Sequence, residues 1–490
     1  MSDEREARLE KLAALRAAHI DPYPTTTARD TTAAEALERF DELQGTRITL
    51  AGRLMQFRDM GKSTFAHIED GTARIQVYFK RDDLGEEAYR QLKLLDLGDI
   101  LESGGTLFTT KTGEKTLHVD AYRLLAKSLR TLPAKGAGGE LKLFDTETRQ
   151  RKRYLDLIAN RDEEMPIFTA RARALAAMRN FLNSRGFIEV ETPILQPLYG
   201  GATARPFTTH HNTLDRDLYL RIAPELYLKR LIVGGFERVY EIARNFRNEG
   251  IDRSHNPEFT MMECYQAYAD YEDIMRLVED MHAAVAEHVL GTTQFEYLGA
   301  PVDLAPPWKR IRLREAILQF TDIDYDEYPE RDQLAAVMRE HGFDVDPKLG
   351  RGRLIDELKD LIIKGEKAKI KDPVFLYDYP RDLSPLAKQK PGARDTAERF
   401  QAFVGGLELG NAFTELNDPL DQRTRFEDQA RQRAYGDDEA QLLDEDYIEA
   451  LEFGLPPTGG YGGGVDRLVM LLTNQDSIRE VILFPTMRDK

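Results

Sequence analysis

Residues 246–268, FRNEGIDRSHNPEFTMMECYQAY, place a group of charges directly before an apolar run. Arg247, Glu249, Arg253 and His255 fall within nine residues, and the preceding segment FERVYEIARNFR has the pattern of a strand that ends at Arg247. Arginine side chains bind phosphate oxygens through two parallel hydrogen bonds. Arginines at the end of a strand therefore predict a site for a polyphosphate.

The apolar run that follows has the alternation of a β-strand, and it carries an acid. Side chains of a strand alternate between two faces, so Phe259, Met261, Glu263 and Tyr265 share one face. An aromatic ring, followed by an acid beside a phenol, suits a flat ring and a cationic group. A structural ion pair between Glu263 and a nearby arginine explains the same pattern, and this strand alone leaves both interpretations open.

Acids in two other apolar segments favour the ligand interpretation. In NAFTE, the alternation places Asn411, Phe413 and Glu415 on one face, and Glu225 lies in the apolar segment RIAPELYLKRL. Three carboxylates near an arginine-rich phosphate site repel one another unless cations lie between them. A ligand with two ammonium groups, such as lysine, would supply those cations together with Mg2+.

The composition is that of a water-soluble protein with several domains. The 490 residues are 41% hydrophobic and 31% charged, which is enough chain for about two to four domains. No apolar run approaches the ~20 residues that cross a bilayer. The first twenty residues are unlike a secretory signal, and Cys264 is the only cysteine. We therefore expect a cytoplasmic location and no membrane partner.

The net charge of −17 argues against a generic nucleic-acid coat, but it leaves room for RNA binding by a local basic surface.

Two motifs of the common nucleotide-binding folds are incomplete. MGKST, residues 60–64, resembles the end of a phosphate-binding P-loop, but Gln56 stands where that motif needs a glycine. GGYGGG, residues 459–464, lacks the acid that follows a dinucleotide fingerprint by ~20 residues. A nucleotide-using enzyme with this sequence therefore needs another fold.

The remaining patterns predict the elements that position these residues. Residues 47–125 contain short alternating segments separated by glycine-containing turns, which predicts a five-stranded β-barrel of the OB type. The Pro- and Gly-containing stretch 132–142 has the composition of a linker. Beyond it we predict a long helix that Gly186 ends, a strand in FIEVETPIL that Pro193 ends, and a helix over 270–290. A mostly helical segment over 310–370 follows, and GGYGGG is predicted to form a turn that enters a helix.

These segments together resemble the class II lysyl-tRNA synthetases over nearly the whole chain. GFIEVETPIL is similar to the first class II signature motif, YEIARNFRNEG with HNPEFTMMECY to the second, and GGYGGGVDRLVML to the third. GGATARPF, RIAPELYLKRL and ELNDP match the lysine enzymes in particular. The resemblance implies an α+β chain with an N-terminal helix and OB-fold anticodon-binding domain over 1–140. A class II catalytic domain over 141–490 would follow, built on an antiparallel sheet flanked by helices, with a mostly helical insertion around 300–395.

The resemblance also implies a function, namely ATP-dependent activation of L-lysine and transfer to tRNA(Lys) by a homodimer that uses Mg2+. The ATP-binding residues would be Arg247, Glu249, His255, Phe259, Glu408 and Arg467. Of these, Arg247 and Arg467 would be catalytic, and Glu408 would bind the metal. The lysine-binding residues would be Gly201, Glu225, Glu263, Tyr265, Asn411, Phe413 and Glu415. In the barrel, the resemblance places Phe65 under an anticodon base, with Gln76 reading the central uracil and Arg58 assisting.

Three positions do not follow simply from the alternation or from the family pattern. Glu408 has the opposite parity to the other ligands predicted on its strand, so it joins their face only if a bulge lies near Gly405, Gly406 or Gly410. Gln401 replaces a second metal-binding glutamate of the family. Its uncharged amide oxygen predicts weaker Mg2+ affinity. Gly463 replaces a bulky apolar residue, which predicts a looser turn before Arg467.

Three alternatives to this function stay open at the level of sequence. An aspartyl- or asparaginyl-tRNA synthetase uses the same scaffold, but it needs a cation or neutral donors in its side-chain pocket. A binding or regulatory protein on an inactive scaffold is the second alternative, and the presence of Arg247, Glu249 and Arg467 argues against it. A ligase that adds lysine to a protein is the third, and such relatives lack the N-terminal barrel.

Overall fold

The computed structural model describes residues 2–133, 141–347, 349–364, 369–393, 395–434 and 442–489. The chain divides into two compact units, Met1–Phe144 with Ile158–Asn160, and Asp145–Leu157 with Arg161–Lys490. Most of the linker predicted over 132–142 lies outside the described residues, because 134–140 are not among them. None of the described helices combines the length and the hydropathy needed to cross a bilayer.

The first unit is built around a closed five-stranded barrel, in the strand order β1-β2-β3-β5-β4. Along β2, every second residue is buried, so one face of the strand forms the barrel core and the other faces outward. The OB-type barrel predicted from the alternation is confirmed. The strands and helices of this unit are α1 (Ser2–Ala17), α2 (Ala33–Glu38), α3 (Phe40–Leu43), β1 (Arg47–Asp59), β2 (Ser63–Glu69), β3 (Arg74–Lys80), α4 (Arg81–Leu84), α5 (Glu86–Gln91), β4 (Ile100–Thr109) and β5 (Lys115–Ala126).

The second unit is built on an eight-stranded sheet in the order β14-β15-β16-β17-β18-β11-β10-β6. Its inner strands pair antiparallel, and the two edge strands pair parallel with their neighbours. This mainly antiparallel sheet confirms the predicted α+β fold class. The strands of the unit are β6 (Ile188–Glu189), β7 (Leu195–Gln196), β8 (Thr208–His211), β9 (Arg216–Leu220), β10 (Arg238–Phe246), β11 (Glu258–Ala267), β12 (Gln294–Tyr297), β13 (Ala300–Asp303), β14 (Lys309–Arg312), β15 (Val374–Pro380), β16 (Thr396–Val404), β17 (Leu407–Thr414) and β18 (Thr458–Gly464).

Long helices cover one face of this sheet and form the main core with it. In α10, Asp270 closes a capping box at the start, and Gly291 ends the helix in the left-handed conformation with φ 77°. Buried residues of α8, α10 and α16 pack against those of β11, β16 and β17. The helices of the unit are α6 (Thr146–Arg151), α7 (Arg153–Ala159), α8 (Arg161–Ser184), α9 (Glu225–Val233), α10 (Tyr271–Leu290), α11 (Leu313–Thr321), α12 (Arg331–Glu340), α13 (Arg351–Ile363), α14 (Pro419–Ala434), α15 (Glu445–Glu452), α16 (Val465–Leu472) and α17 (Ile478–Val481).

The segment around 300–395 combines helices with strands of the main sheet. Helices α11, α12 and α13 form a core of their own together with β15 and Phe403. The strands β14 and β15 extend the eight-stranded sheet at one edge. This arrangement brings α13 next to the sheet face that carries the predicted ligands.

The strand predicted to end at Pro193 in FIEVETPIL is only partly correct, because β6 covers Ile188–Glu189 alone and a second short strand, β7, begins at Leu195. Pro193 lies between them and has no backbone N–H to donate to a neighbouring strand. The pairing is therefore interrupted within the segment.

The prediction of a glycine turn at GGYGGG is wrong, because these residues form β18 in the middle of the sheet. A Cβ at Gly460 would overlap Glu415 Oε1 and lie 2.5 Å from the ring of Tyr265. A Cβ at Gly463 would lie 2.7 Å from the ring of Tyr461. Glycine is therefore needed for space in a strand. The looser turn expected before Arg467 is also wrong, because the buried Tyr461 ring occupies the space next to Gly463.

We expect Gly463→Ile to lower the thermal midpoint, because the added side chain meets the Tyr461 ring in a closely packed core. Overpacking of this kind costs about 1–3 kcal/mol. Adding Tyr461→Leu removes the ring and should raise the midpoint again, and a calorimetric double-mutant cycle measures this coupling. A double variant that melts no higher than Gly463→Ile would show that Tyr461 does not fill this space.

Candidate active site

One large cavity opens on the face of the sheet formed by β11, β17 and β18. Its volume is about 1790 Å³, and residues of α13, α14 and the loop after β10 complete its walls. The structure brings together in this cavity all the residues predicted for the catalytic domain, namely Gly201, Glu225, Arg247, Glu249, His255, Phe259, Glu263, Tyr265, Glu408, Asn411, Phe413, Glu415 and Arg467. Arg253, singled out in the sequence, lies 3.6 Å from Asp476 and is not among the described residues that line the cavity.

The basic end of the cavity contains two guanidinium groups. Arg247, at the end of β10, lies over the ring of Phe259, with 5.1 Å between the guanidinium carbon and the ring centroid. Its Nε is enclosed and has no hydrogen-bond partner among the described residues. Arg467 donates a hydrogen bond of 3.0 Å to the backbone oxygen of Glu408, and its Nη2 is 3.5 Å from His255 Nε2. A half-buried guanidinium with an enclosed and unused Nε donor is suited to an anionic ligand.

The loop between β10 and β11 is organised around Asp252. This carboxylate accepts hydrogen bonds from the backbone N–H groups of Ser254 and His255, at 2.7 and 2.8 Å, and lies 2.8 Å from His255 Nδ1. His255 is thereby turned with Nε2 towards Arg467. Glu249 is exposed on the same loop at the wall of the cavity.

The acidic end of the cavity lies deeper, between β11, β17 and α9. Tyr265 donates a hydrogen bond of 3.1 Å to Glu263 Oε2. Burial, reinforced by the nearby carboxylate of Glu225, raises the pKa of Glu263 to about 8. Burial also raises the pKa of Glu415, although the ammonium group of Lys229 acts in the opposite direction.

An internal lysine, which the sequence analysis did not assign, pairs with two of these acids. The ammonium of Lys229 is fully buried, lies 2.5 Å from Glu225 Oε1 and also contacts Glu415. These acids keep the pKa of Lys229 well above its usual value despite the burial that lowers it. The structural ion pair that the sequence left open was for Glu263, whereas Lys229 contacts Glu225 and Glu415, and Glu263 accepts its hydrogen bond from Tyr265. One ammonium does not balance the carboxylates of Glu225, Glu263 and Glu415, and Glu415 Oε1 has no hydrogen-bond partner among the described residues.

The backbone conformation explains the positions of two further predicted residues, Gly201 and Glu408. Gly201 has a φ of 85°, and a Cβ there would lie 2.9 Å from the Cβ of Glu225, so glycine is needed for both conformation and space. In the pairing of β16 with β17, Ala402 lies opposite Gly410 and Phe403 opposite Glu408, which leaves Leu409 unpaired. The predicted bulge is therefore confirmed. It explains how Glu408 and Asn411 line the same cavity.

The outward face of the barrel carries the residues predicted to contact RNA. Phe65 on β2 pairs in register with Arg58 on β1 and with Tyr78 on β3. The rings of Phe65 and Tyr78 are 4.7 Å apart, and those of Phe108 and His118 continue the aromatic surface. Half-buried rings side by side on a strand face are suited to stacking of unpaired bases.

The amide of Gln76 lies in a polar network at the edge of this aromatic face. Its Nε2 donates a hydrogen bond of 2.7 Å to Glu114, and its Oε1 accepts one of 2.8 Å from Thr116. Its orientation is therefore set before RNA binds.

Comparison with known proteins identifies the family. A family model described as tRNA synthetases class II (D, K and N) matches residues 145–488, and one described as an OB-fold nucleic acid binding domain matches residues 48–125. The chain is 53% identical to the Lysine--tRNA ligase of Chloroflexus aurantiacus and 53% identical to that of Roseiflexus castenholzii, in both cases over 100% of this chain and 99% of the relative. It is 49% identical to the Lysine--tRNA ligase of Pelotomaculum thermopropionicum, over 100% of this chain and 96% of that relative.

The chain belongs to the lysine--tRNA ligase family of class II tRNA synthetases. This result confirms the resemblance drawn from the signature motifs. It also agrees with the failure of the P-loop and dinucleotide motifs, because the class II sheet is largely antiparallel.

Several residues of this lysine--tRNA ligase site were missed in the sequence. Lys229 follows Glu225 by four residues, and this helical spacing is a signal that could have identified the pair. Arg399 donates a hydrogen bond of 2.9 Å to Asn411 Oδ1 and lies over the Phe413 ring. Arg399 and Gln401 are two residues apart on β16 and therefore share a face of the strand, which is a further local signal. Lys359, which contacts Gln401, comes from α13 and has no local signal.

The carboxylate that the family resemblance implies for Mg2+ fits a divalent ion. Glu408 is the carboxylate predicted for Mg2+, and its Oε1 accepts a hydrogen bond of 2.6 Å from Gln401 Nε2. Burial raises its pKa, but Arg467, Lys359 and Lys364 outweigh that effect and keep the pKa below its usual value. Among the described residues, no group of three or more His, Cys, Asp or Glu side chains could hold a metal ion. A single carboxylate suits an Mg2+ that is otherwise bound by nucleotide phosphates.

Proposed function

We propose that this chain activates L-lysine with ATP to form lysyl-adenylate and then transfers the lysyl group to the 3′-terminal adenosine of tRNA(Lys). The observation that supports this function is the division of one cavity into a guanidinium-rich end and an acidic end. The first end suits a triphosphate, and the second suits the side chain of a dicationic amino acid. The alternative substrates aspartate and asparagine would leave Glu263 without a cationic partner, and Glu415 would have only the Lys229 ammonium that it shares with Glu225.

At the basic end, the nucleotide would lie between the arginines and the aromatic ring. Phe259 would stack on adenine, and Glu249 would accept a hydrogen bond from its amino group. Arg247 would bind the α-phosphate together with the lysine carboxylate. Arg467 and His255 would bind the β- and γ-phosphates. Bound Mg2+, held by Glu408, would neutralise phosphate charge.

At the acidic end, carboxylates would hold the two ammonium groups of lysine. Glu225, beside Gly201, would accept hydrogen bonds from the α-ammonium. Glu415 and Tyr265 would bind the side-chain ammonium, and Glu263 would line the pocket nearby. Arg399 donates a hydrogen bond to Asn411 Oδ1. The amide hydrogens of Asn411 are therefore left as donors for the lysine carboxylate. Phe413 would contact the aliphatic part of the substrate.

The reaction needs positioning and charge stabilisation rather than a protein nucleophile. A carboxylate oxygen of lysine attacks the α-phosphorus, and the bond from that phosphorus to the bridging oxygen of pyrophosphate breaks. The ribose hydroxyl of the tRNA then attacks the carbonyl carbon, and AMP leaves. Cys264 is buried on the opposite face of β11, and burial raises its pKa to about 12, so it does not supply a thiolate.

The test of the function is ATP–pyrophosphate exchange measured with each of the twenty amino acids, with and without Mg2+. We expect exchange that depends on lysine and on the metal. Exchange supported by aspartate or asparagine instead would assign the chain to another activity on the same scaffold. Absence of exchange with every amino acid would favour a binding or regulatory role.

We expect lysine to bind more tightly as the pH rises from about 6 to about 8. Without ligand, the raised pKa of Glu263, about 8, keeps this acid protonated below that pH. Glu263 must lose its proton before its carboxylate can pair with an ammonium group of lysine, so lysine binding releases protons. The affinity for lysine therefore rises with pH, and it rises more steeply with each proton that is released. Calorimetry in buffers of different ionisation enthalpy measures this release, and Glu263→Gln should make it smaller. Binding heats that are independent of the buffer would contradict the prediction.

For the barrel, we propose that the aromatic face binds the anticodon of tRNA(Lys). Replacing Phe65 with alanine removes a stacking partner worth ~1–3 kcal/mol, so we expect tRNA affinity to fall by about tenfold or more. Lysine-dependent ATP–pyrophosphate exchange, which needs no tRNA, should not change. Phe65→Tyr keeps the ring and should retain normal tRNA affinity, as measured by filter binding. Equal affinities for the alanine and tyrosine variants would remove Phe65 from the interface.

We also propose a homodimer, a cytoplasmic location and no membrane partner. The first signature motif supports the dimer, because Ile188, Ile194 and Leu195 are large apolar residues that are exposed in a single chain. Sedimentation equilibrium tests this proposal, and a monomer at micromolar concentration would refute it.

A further inference from the structure

A buried lysine lies beside the position where the family has a second metal-binding glutamate. Lys359 comes from α13, and only 1% of its surface is exposed. Its ammonium is 3.2 Å from Gln401 Oε1 and 3.2 Å from Asp360, and it also contacts Asp356. Gln401 itself lines the cavity.

These contacts determine which way the Gln401 amide faces. An ammonium group has only donors, so the atom that faces Lys359 must be the amide oxygen. The hydroxyl of Tyr379 donates to the same oxygen at 2.6 Å. The amide nitrogen is therefore directed to Glu408, to which it donates at 2.6 Å. The oxygen that was expected to bind Mg2+ weakly therefore already accepts hydrogen bonds from two donors.

The ammonium of Lys359 also opposes a second divalent ion at Gln401 by charge, and its contacts with Asp356 and Asp360 offset part of that charge. The positive charge of Lys359 is directly behind the amide, and Lys364 lies 4.0 Å from Glu408 Oε2. Arg467 lies 3.7 Å from the same oxygen. A divalent ion bound at Gln401 would lie close to the ammonium of Lys359, and like charges that are close together inside a protein repel strongly.

We propose that Lys359 replaces one metal ion of this active site. Its ammonium, held against Gln401, supplies a fixed positive charge where a second carboxylate-bound Mg2+ would otherwise be held. The chain then anchors a single divalent ion through Glu408. This inference rests on the proposed function, because it assumes that the nucleotide phosphates bind next to Glu408.

The experiment counts Mn2+ ions bound per protomer, by electron paramagnetic resonance, in the presence of lysine and α,β-methylene-ATP. The wild-type chain is compared with Gln401→Glu and with the double variant Lys359→Met/Gln401→Glu. We expect Gln401→Glu to bind no additional Mn2+, because the new carboxylate pairs with Lys359. We expect the double variant to bind one additional Mn2+, because it has the second carboxylate without the opposing ammonium. The matched control Lys364→Met/Gln401→Glu removes a lysine that does not contact Gln401, and it should bind no additional ion.

Two outcomes would overturn the proposal. One is an additional Mn2+ in Gln401→Glu alone, which would show that Lys359 does not exclude the metal. The other is an unchanged count in a folded Lys359→Met/Gln401→Glu variant. If the double variant does not fold, the nearly isosteric Gln401→Glu variant decides the question by itself. Lysine-dependent exchange by the wild-type chain is measured in parallel, so a failure of the proposed function is distinguished from a failure of this inference.

Discussion

Replacing Arg247 with glutamine should lower kcat/KM for lysine-dependent ATP–pyrophosphate exchange on the order of 100- to 1,000-fold. Its guanidinium lies over Phe259 in the cavity and has an enclosed Nε without a partner among the described residues. We place it between the α-phosphate and the lysine carboxylate, where negative charge is redistributed during the reaction. Loss of one such preorganised donor typically costs on the order of 10²–10³ in rate.

Two further variants make this prediction specific to the Arg247 guanidinium. Arg247→Lys keeps the charge but loses the paired hydrogen-bond geometry, so it should recover only part of the activity. Arg244 lies on the same strand, is exposed and is 3.8 Å from Glu258, which makes Arg244→Gln a matched control with the same change in charge. If Arg244→Gln and Arg247→Gln lost activity equally, a general effect of charge or of the strand would explain the loss.

Replacing Glu415 with glutamine should raise the KM for lysine by at least tenfold and leave the KM for ATP nearly unchanged. The amide has almost the same shape, so the main loss is a charged hydrogen bond to the substrate ammonium, worth ~1.5–3 kcal/mol. Lys229 keeps its second partner, Glu225, so its charge stays paired in the variant. Steady-state exchange kinetics measure both KM values.

The control for Glu415→Gln is Glu272→Gln, an equal charge change at an exposed position of α10. It should leave the lysine KM unchanged. Exchange should also be tested with aspartate and asparagine, since loss of the acid removes one barrier to these substrates. Unchanged lysine kinetics in Glu415→Gln would remove this residue from the amino-acid pocket and weaken the charge argument for the substrate.

Much of the site could be predicted because its residues alternate on single strands. Phe259, Glu263 and Tyr265 share a face of β11 whatever the neighbouring strands are, and the structure places all three in the cavity. The same rule grouped Phe413 on β17 with Glu415, the residue directly after that strand. This grouping needs only the two-residue period of a strand, which is a local property of the chain.

The β18 prediction failed for a physical reason that involves other parts of the chain. Glycines usually mark turns, and five of the six residues from 459 to 464 are glycine. Here they are needed because Glu415, Tyr265 and the Tyr461 ring approach the strand too closely for side chains. Nothing within the glycine run itself indicates that Glu415 and Tyr265 come so close.

The sequence by itself therefore determined the family, the fold class and the sets of residues that share a strand face, because motifs and alternation are local patterns. Only the tertiary structure decided how the charges within the cavity are paired. Lys229 neutralises part of the acidic end, and Lys359 on α13 turns the amide of Gln401, forty-two residues away in the chain, towards Glu408. Such pairings depend on which elements pack together and on the loss of water around them, and the spacing of residues in the chain encodes neither.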